Sequence, residues 1–508
     1  MASRDFLVCA LAGLALMLSG CPQSCDPARR AGSPEVFIDG RFAEWVDGAR
    51  LRADGHDLFV RFTVPEPISL QAAPYSLALL LDTDGDAVTG SGLDYVDGET
   101  DVGAELAIVF SPPGGRPRPG GGSGEGVAAL LLPTDEEDSK AQGFGHEGLD
   151  LVFAPTHEAT EFELRISRRL SEQPLLSAAF ESGRVSAHLF GVGKDTKLLW
   201  AEALGSIPLP PLAAVPHRLD AAWPARSAED VRVVSWNVLF ATPMRNPEPF
   251  ARILRALDPD VVLVQEWEKA TADDLRTWFD THVSPGWHAL DSPGWGVGVV
   301  ARGELRRLGP ERIERPVDAP ADSFRPDRAL RLAAAVVETR LGPVAAASLH
   351  LKCCGSPGGS QDRARIAEVS VIRGALADAL GDLRDDAPVV RIFGGDLNLV
   401  GSAHPLNMLR AGLAADGGDL AVAKTDVLGD RALYTWRGRG SRFGAGRLDF
   451  LAYAGAELSR AFAVDTARLQ DDVLAEAGLE RADSAASDHL ALVLDLRPFR
   501  SSSVTGAE

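Results

Sequence analysis

Between residues 34 and 207, apolar side chains alternate with polar ones or gather in short runs, as at residues 58–62, 76–81 and 161–166. That spacing predicts strands, so the front of the chain reads as an all-β region. A Gly/Pro-rich stretch over residues 111–126 interrupts it and reads as a flexible surface loop. Prolines then recur over residues 208–224, and residues 208–229 read as a linker. From residue 230 the grammar changes. Apolar runs at 231–238, 261–265, 331–338, 344–351, 389–393, 448–452 and 489–496 predict buried strands, while 249–257 and 362–383 predict helices. Alternation of this kind argues for helices covering sheets. The expected order is an all-β sandwich over 34–207, the linker, an α+β domain over 230–498, and a disordered tail over 499–508.

Composition supports two folded bodies. At 508 residues the chain exceeds one ordinary core, and its 45% hydrophobic and 24% charged content is that of a folded protein. The first residues differ. Arg4 precedes an apolar run over residues 6–18 that meets Leu18-Ser19-Gly20-Cys21. A short basic start, a short apolar stretch and small residues before a cut predict an export signal over 1–20, although Asp5 is atypical there. The Leu-Ser-Gly-Cys end resembles a bacterial lipobox, with Cys21 the lipidated first residue; an ordinary secretory signal with an incidental cysteine is the alternative. On the first reading, residues 21–33 are a tether and acyl chains hold the protein to a membrane outside the cytoplasm. Pro22, standing where Asp would signal inner-membrane retention, points to the outer membrane. Nothing beyond this segment is apolar enough to span a bilayer.

With Cys9 in the signal and Cys21 acylated, the five cysteines give no disulfide framework. The adjacent Cys353 and Cys354 read as two free, half-buried thiols rather than a strained bridge. The formal charge of −21 is uneven: residues 1–229 carry −15 and residues 230–498 carry −6. The back half opposes a polyanion less than the front, yet neither is basic enough to be a nucleic-acid binder on charge alone.

Polar residues gather where the back-half strands end: Asn237, Glu266, His350, Asp396, Asn398, Asp449, Asp488 and His489. Strand ends would place them at one rim of the sheets, and Asp396 and Asn398, two apart, would face the same side. Any one of them alone reads as a cap, a turn or a solvated edge. Together and in this order they resemble the endonuclease/exonuclease/phosphatase superfamily, through Trp236-Asn237, Gln265-Glu266, Ser348-Leu349-His350, Gly395-Asp396-Leu397-Asn398, Arg447-Leu448-Asp449 and Ser487-Asp488-His489. The resemblance covers about half of the chain. It implies a four-layer α/β/β/α sandwich and a metal-dependent phosphodiester hydrolase, most simply a nuclease.

It also implies roles. Asp396 orients and deprotonates the attacking water, and Asn237 and Asn398 donate to Asp396 or to phosphate. His489, paired with Asp449, contacts phosphate, and His350 protonates the leaving oxygen or binds phosphate. Glu266, joined by Asp488, holds Mg²⁺ or Mn²⁺, hard cations that prefer oxygen. Leu239 stands where some members carry a further acidic ligand, and no tyrosine matches the one used by the abasic-site branch.

The substrate is less constrained. Arg437, Arg439 and Arg442 in a Gly-rich loop, with Arg447 beside it, read either as a grip on a nucleic-acid backbone or as ordinary surface arginines. Trp287 and Trp295 read as a stacking edge, a membrane-inserting tip or core. In the front half, residues 38–45 and 81–86 resemble DOMON-like and carbohydrate-binding β-sandwiches, implying a carbohydrate or surface ligand. Asp82, Asp84 and Asp86 alternate around Gly85 as Ca²⁺ ligands would, although Leu93 stands where an EF-hand has its glutamate; a plain acidic turn is the alternative. A phospholipid phosphodiesterase, a phosphomonoesterase and a non-catalytic surface binding protein remain as rival readings of the whole.

Overall fold

The alternation over residues 76–81 has a direct structural meaning. In the computed structural model, Leu77, Leu79 and Leu81 enter one apolar cluster while Ala78 and Leu80 enter another, so this strand is covered on both faces. The structure describes residues 35–113, 124–133, 141–169, 180, 183–213, 219, 221–294, 296–314 and 329–499. The expected signal, Cys21, the tether, Trp295 and residues 500–508 lie outside them.

Among the described residues the front region holds ten strands: β1 (Leu51–Ala53), β2 (Asp57–Ile68), β3 (Ser76–Asp82), β4 (Leu106–Phe110), β5 (Val127–Leu131), β6 (Gln142–Phe144), β7 (Val152–Ala154), β8 (Ala159–Ser167), β9 (Arg184–Val192) and β10 (Leu198–Pro208). They form a four-stranded sheet, β1-β2-β8-β7, and a six-stranded sheet, β10-β9-β3-β4-β5-β6. Leu58, Val60, Phe62 and Leu164 of the first share a core with Leu77, Leu79, Ile108 and Leu189 of the second. The all-β expectation holds.

The back region adds β11 (Val231–Asn237), β12 (Val261–Gln265), β13 (His288–Ser292), β14 (Val297–Ala301), β15 (Leu305–Arg307), β16 (Leu332–Thr339), β17 (Gly342–His350), β18 (Val390–Asp396), β19 (Ala421–Val422), β20 (Asp449–Ala454), β21 (Glu457–Val464) and β22 (Ala491–Arg497). Helices α1 (Pro247–Leu257), α2 (Ala272–His282), α3 (Ser360–Asp382), α4 (His404–Arg410) and α5 (Asp471–Ala477) accompany them. Two six-stranded sheets result, β13-β14-β12-β11-β22-β21 and β15-β16-β17-β18-β20-β19. Val233, Leu263 and Leu494 of one meet Ala335, Ala346 and Ile392 of the other in the central layer. Phe250 and Leu254 of α1 and Trp278 and Phe279 of α2 cover the outer face of the first sheet. Val369 and Ile372 of α3 and Leu409 of α4 cover the second. This is the four-layer α/β/β/α sandwich.

Helix α2, unanticipated, starts with a reciprocal cap: Thr271 Oγ1 accepts from Asp274 N at 3.2 Å while Asp274 Oδ2 accepts from Thr271 N at 3.0 Å. Trp287 is 2% exposed and stacks under Arg302, which settles it as core. Cys353 is half-buried and Cys354 exposed, and both thiols are free.

The described residues from Val36 onward form one compact unit. Phe59 and Val152, on the front four-stranded sheet, share a buried cluster with Val427, Ala432, Tyr434 and Leu490 of the back region. Buried ion pairs cross the same boundary, Arg431 with Asp57 at 2.5 Å and Arg165 with Asp430. The described part of the expected linker is itself pinned: Leu209 is buried, Ala213 N donates to Gly55 O at 2.7 Å, and Trp223 Nε1 donates to Ala256 O at 3.1 Å. Prolines there set an extended path along a surface rather than a free spacer.

Candidate active site

Strand direction explains why residues scattered over 250 positions meet. β11 runs parallel to β12, and β17 parallel to β18, so the C-terminal ends of each pair lie together. β22 is antiparallel to β11 and β20 antiparallel to β18, which brings their N-terminal ends to that same rim. In the second sheet His350, Asp396 and Asp449 are direct cross-strand neighbours. Beneath the rim Gln265 ties the leaves together, with Nε2 donating to Ser348 Oγ at 2.9 Å and Ser348 Oγ donating to Val264 O at 2.8 Å. Gly395, at φ +135°, leaves room for that amide: a Cβ there would stand 2.9 Å from Gln265 Nε2.

Asp396 lies at the centre. Its carboxylate accepts from Asn237 Nδ2 at 3.0 Å, from Asn398 Nδ2 at 3.1 Å and from Asn398 N at 2.9 Å. Burial pushes it up to about 7, against the pull of His489 and these donors. Asn398 takes a left-handed backbone, φ +48°, which turns its amide back onto Asp396.

Two histidines face Asp396 Oδ2 in opposite electrical states. His489 Nε2 stands 3.7 Å away while its Nδ1 pairs with Asp449 Oδ2 at 2.8 Å. Burial opposes its charge, but Asp449 and Asp396 outweigh burial and raise it to about 10, so it is an imidazolium. Thr435 Oγ1 donates to the same Asp449 oxygen at 2.6 Å, fixing the pair. His350 Nε2 stands 3.4 Å from Asp396 Oδ2 and 3.8 Å from Glu266 Oε1. Arg331 Nη1 lies 2.8 Å from its Nδ1. The same nitrogen lies 3.2 Å from Nε2, so the guanidinium sits against the face of the ring. Burial and Arg331 hold His350 well below the usual histidine range, and it is neutral.

Glu266 sits at the mouth with a left-handed φ of +60°. Its oxygens accept from Asn237 Nδ2 at 3.1 Å and Phe240 N at 3.0 Å, the latter from a run of three left-handed residues, Leu239, Phe240 and Ala241. Ligating atoms of Glu266, His350 and Asp396 lie within 4.8 Å of one another, as do those of Asp396, Asp449 and His489. Asp488 belongs to neither group; its Oδ2 accepts from Trp436 Nε1 at 2.9 Å.

A model of the Endonuclease/Exonuclease/phosphatase family matches residues 234–489, which span this whole cluster. The chain belongs to that family. Among solved structures of the family's fold, TDP2 of D. rerio bound to a single-strand DNA product shares 16% identity over 53% of this chain and 99% of its own, with a TM-score of 0.31. The AP endonuclease of Leishmania major shares 14% over 55% and 93%, at 0.33. A mannosyl-6-phosphatase of Bacteroides thetaiotaomicron shares 14% over 52% and 99%, at 0.34. No curated protein matches the chain.

As an endonuclease/exonuclease/phosphatase family hydrolase, the protein brings together Asn237, Glu266, His350, Asp396, Asn398, Asp449 and His489. It does not bring the three loop arginines to them. Arg437 is held by Asp465 at 2.7 Å and Asp150 at 3.0 Å, and Arg442 by Glu125 at 2.9 Å. Arg439 is exposed on the same loop. Arg447 is half-buried, donating to Ala423 O at 2.7 Å. The loop is a clasp onto the front region, with Gly444 N donating to Gln71 Oε1 at 2.6 Å and Val127 N to Arg442 O at 2.8 Å. Arg437 and Arg442 thereby pair with Asp150 and Glu125, acids that the front region contributes. Arg331 and Thr435 were missed, although a lone arginine opening an apolar strand was a visible signal for the first.

Proposed function

We propose that this site hydrolyses phosphodiesters with the aid of a divalent cation, and that nucleic acid is the substrate. The observation that carries the reading is Asp396, a buried carboxylate oriented by three N–H donors between a cationic and a neutral histidine. Asp396 takes the proton of a water aligned with phosphorus; near 7, its affinity for that proton suits the task. His489, charged and aimed by Asp449, binds a non-bridging oxygen and steadies the negative charge that builds on it. His350 contributes a ring N–H to phosphate or the leaving oxygen; its neutrality argues against a general acid. Asn237 and Asn398 keep Asp396 in place.

Glu266 fits a hard cation: it is an oxygen donor at the open side of the cluster, held by one side-chain amide and one backbone N–H. Mg²⁺ or Mn²⁺ held by Glu266 would supply charge neutralisation at the phosphate. Phe240, 61% exposed beside Glu266, and Met244, 50% exposed, offer a face for an unstacked base. The same apolar edge favours a phospholipid phosphodiesterase as the second reading. Phosphomonoesterase action and a non-catalytic surface role follow in order. Export and anchoring through Cys21 to the outer membrane complete the proposal; among the described residues no helix is long and apolar enough to cross a membrane.

The test offers the purified protein, with Mg²⁺, plasmid DNA, RNA, sphingomyelin and an inositol phosphate. Cleavage of nucleic acid, lost in Asp396→Ala and His489→Ala, supports the reading. Cleavage of sphingomyelin alone replaces the substrate, and inactivity on all four supports the binding protein.

A further inference from the structure

The front sandwich holds a second carboxylate cluster, separate from the one above. β3 ends at Asp82 and β4 begins after Glu105, with Leu81 paired to Leu106 and Glu105 N donating to Leu81 O at 3.2 Å. Asp82 and Glu105 therefore stand together at the neck of a 23-residue excursion, residues 83–105. Asp84 follows two residues on, and ligating oxygens of Asp82, Asp84 and Glu105 lie within 4.8 Å of one another. Like charges this close repel, and none of the three has a lysine or arginine partner among the described residues. Asp86, the third member expected from sequence, is instead exposed and accepts from Val88 N at 3.1 Å. Glu105 takes its place.

Glu105 supplies the observation that points to a ligand. Its side chain is 7% exposed. Oε2 accepts from Thr83 N at 2.7 Å and Thr83 Oγ1 at 3.0 Å, but Oε1 is buried with no hydrogen-bond partner. An ionised oxygen left this way is destabilising unless a cation meets it. The loop keeps room beside it: Gly90 has a φ of +74°, and a Cβ there would stand 2.6 Å from Glu105 Oε1. Asp84, exposed, opens the cluster to solvent and gives an ion its way in.

We infer that Asp82, Asp84 and Glu105 form a Ca²⁺ site that fastens the 83–105 excursion to the sheet. An all-oxygen, carboxylate-rich set selects a hard cation. Its irregular layout suits Ca²⁺, which takes oxygens at about 2.3–2.6 Å in flexible geometry, better than Mg²⁺, which demands near-octahedral order. The ion has a structural consequence. Residues of the excursion, Leu93 and Tyr95 among them, form one wall of a cavity of about 620 Å³ whose floor is Val109, Leu130 and Leu132. Ca²⁺ at the neck fixes that wall.

Calorimetric titration of CaCl₂ into chelator-stripped protein tests this, using wild type, Glu266→Gln, Asp84→Asn and Glu105→Gln. A Ca²⁺ event is expected in wild type and in Glu266→Gln, weakened at least tenfold in Asp84→Asn and Glu105→Gln. Ca²⁺ should also raise the melting temperature of wild type and leave that of Asp84→Asn unchanged. Asp84 is exposed, so its variant folds and decides the matter if Glu105→Gln does not. The inference is overturned if Glu266→Gln binds no Ca²⁺, if Asp84→Asn titrates like wild type, or if MgCl₂ at equal concentration gives the same event.

Discussion

Both sandwiches carry buried carboxylates at strand ends, and they compensate them differently. At the back rim the protein answers its own charge: Asp396 receives three N–H groups, and Asp449 receives a histidine and a hydroxyl. At the front neck, Glu105 Oε1 is left with nothing. A carboxylate satisfied from within is held in one orientation yet can still exchange a proton. One left short is a ligand in search of an ion. The same residue type thus serves reactivity in one sandwich and architecture in the other, according to who supplies the counter-charge.

The contrast breaks most sharply at Asp396. Asp396→Ala should lower kcat about 10⁴-fold while leaving the melting temperature no lower, since a buried charge is removed along with its function. A fall in stability with modest loss of rate would make Asp396 structural. Next is Asp449→Asn, expected to lower kcat on the order of 10²-fold and to shift the pH profile. In wild type the rate should climb as Asp396 ionises around 7 and fall as His489 loses its proton around 10. Without Asp449 that alkaline limb should move down.

Stability carries the same signature. His489 is raised from 6.5 to about 10, so its contribution is present in full below 6.5 and is lost as pH rises towards 10. Melting temperature against pH should be flatter across that window in His489→Gln than in wild type. Arg331→Gln, which removes the cation lying against His350, should cost about tenfold in kcat, the weight of one charge-assisted contact. Smallest of all, Asp84→Asn should change kcat less than about twofold, within ordinary surface effects. A large loss there would mean that the two clusters are coupled.

The seven rim residues were legible because each lies at or near one end of an apolar run, and apolar runs announce strands. The strand at 261–265 and the helix ending at 257 coincide with β12 and the end of α1. What local spacing cannot convey is register. Arg331 matters only because the β16–β17 pairing sets it against His350. Glu105 joins Asp82 only because β3 and β4 are neighbours, whereas Asp86, adjacent in sequence, looked the better ligand. Arginines in the 436–446 loop looked available for a polyanion because their acidic partners, Asp150 and Glu125, lie some three hundred residues earlier. The pinned linker was hidden for the same reason: proline content describes a segment's stiffness and not the surface it lies on.

The apolar seam between Phe59 of the front sheet and Tyr434 beneath the rim has a practical corollary. Trimming the chain to residues 230–498, the natural choice for a minimal hydrolase, would expose that seam to water and strip Arg431 of Asp54 and Asp57. Any other neighbour for the hydrolase would have to supply the same apolar cover and the same acids for Arg431.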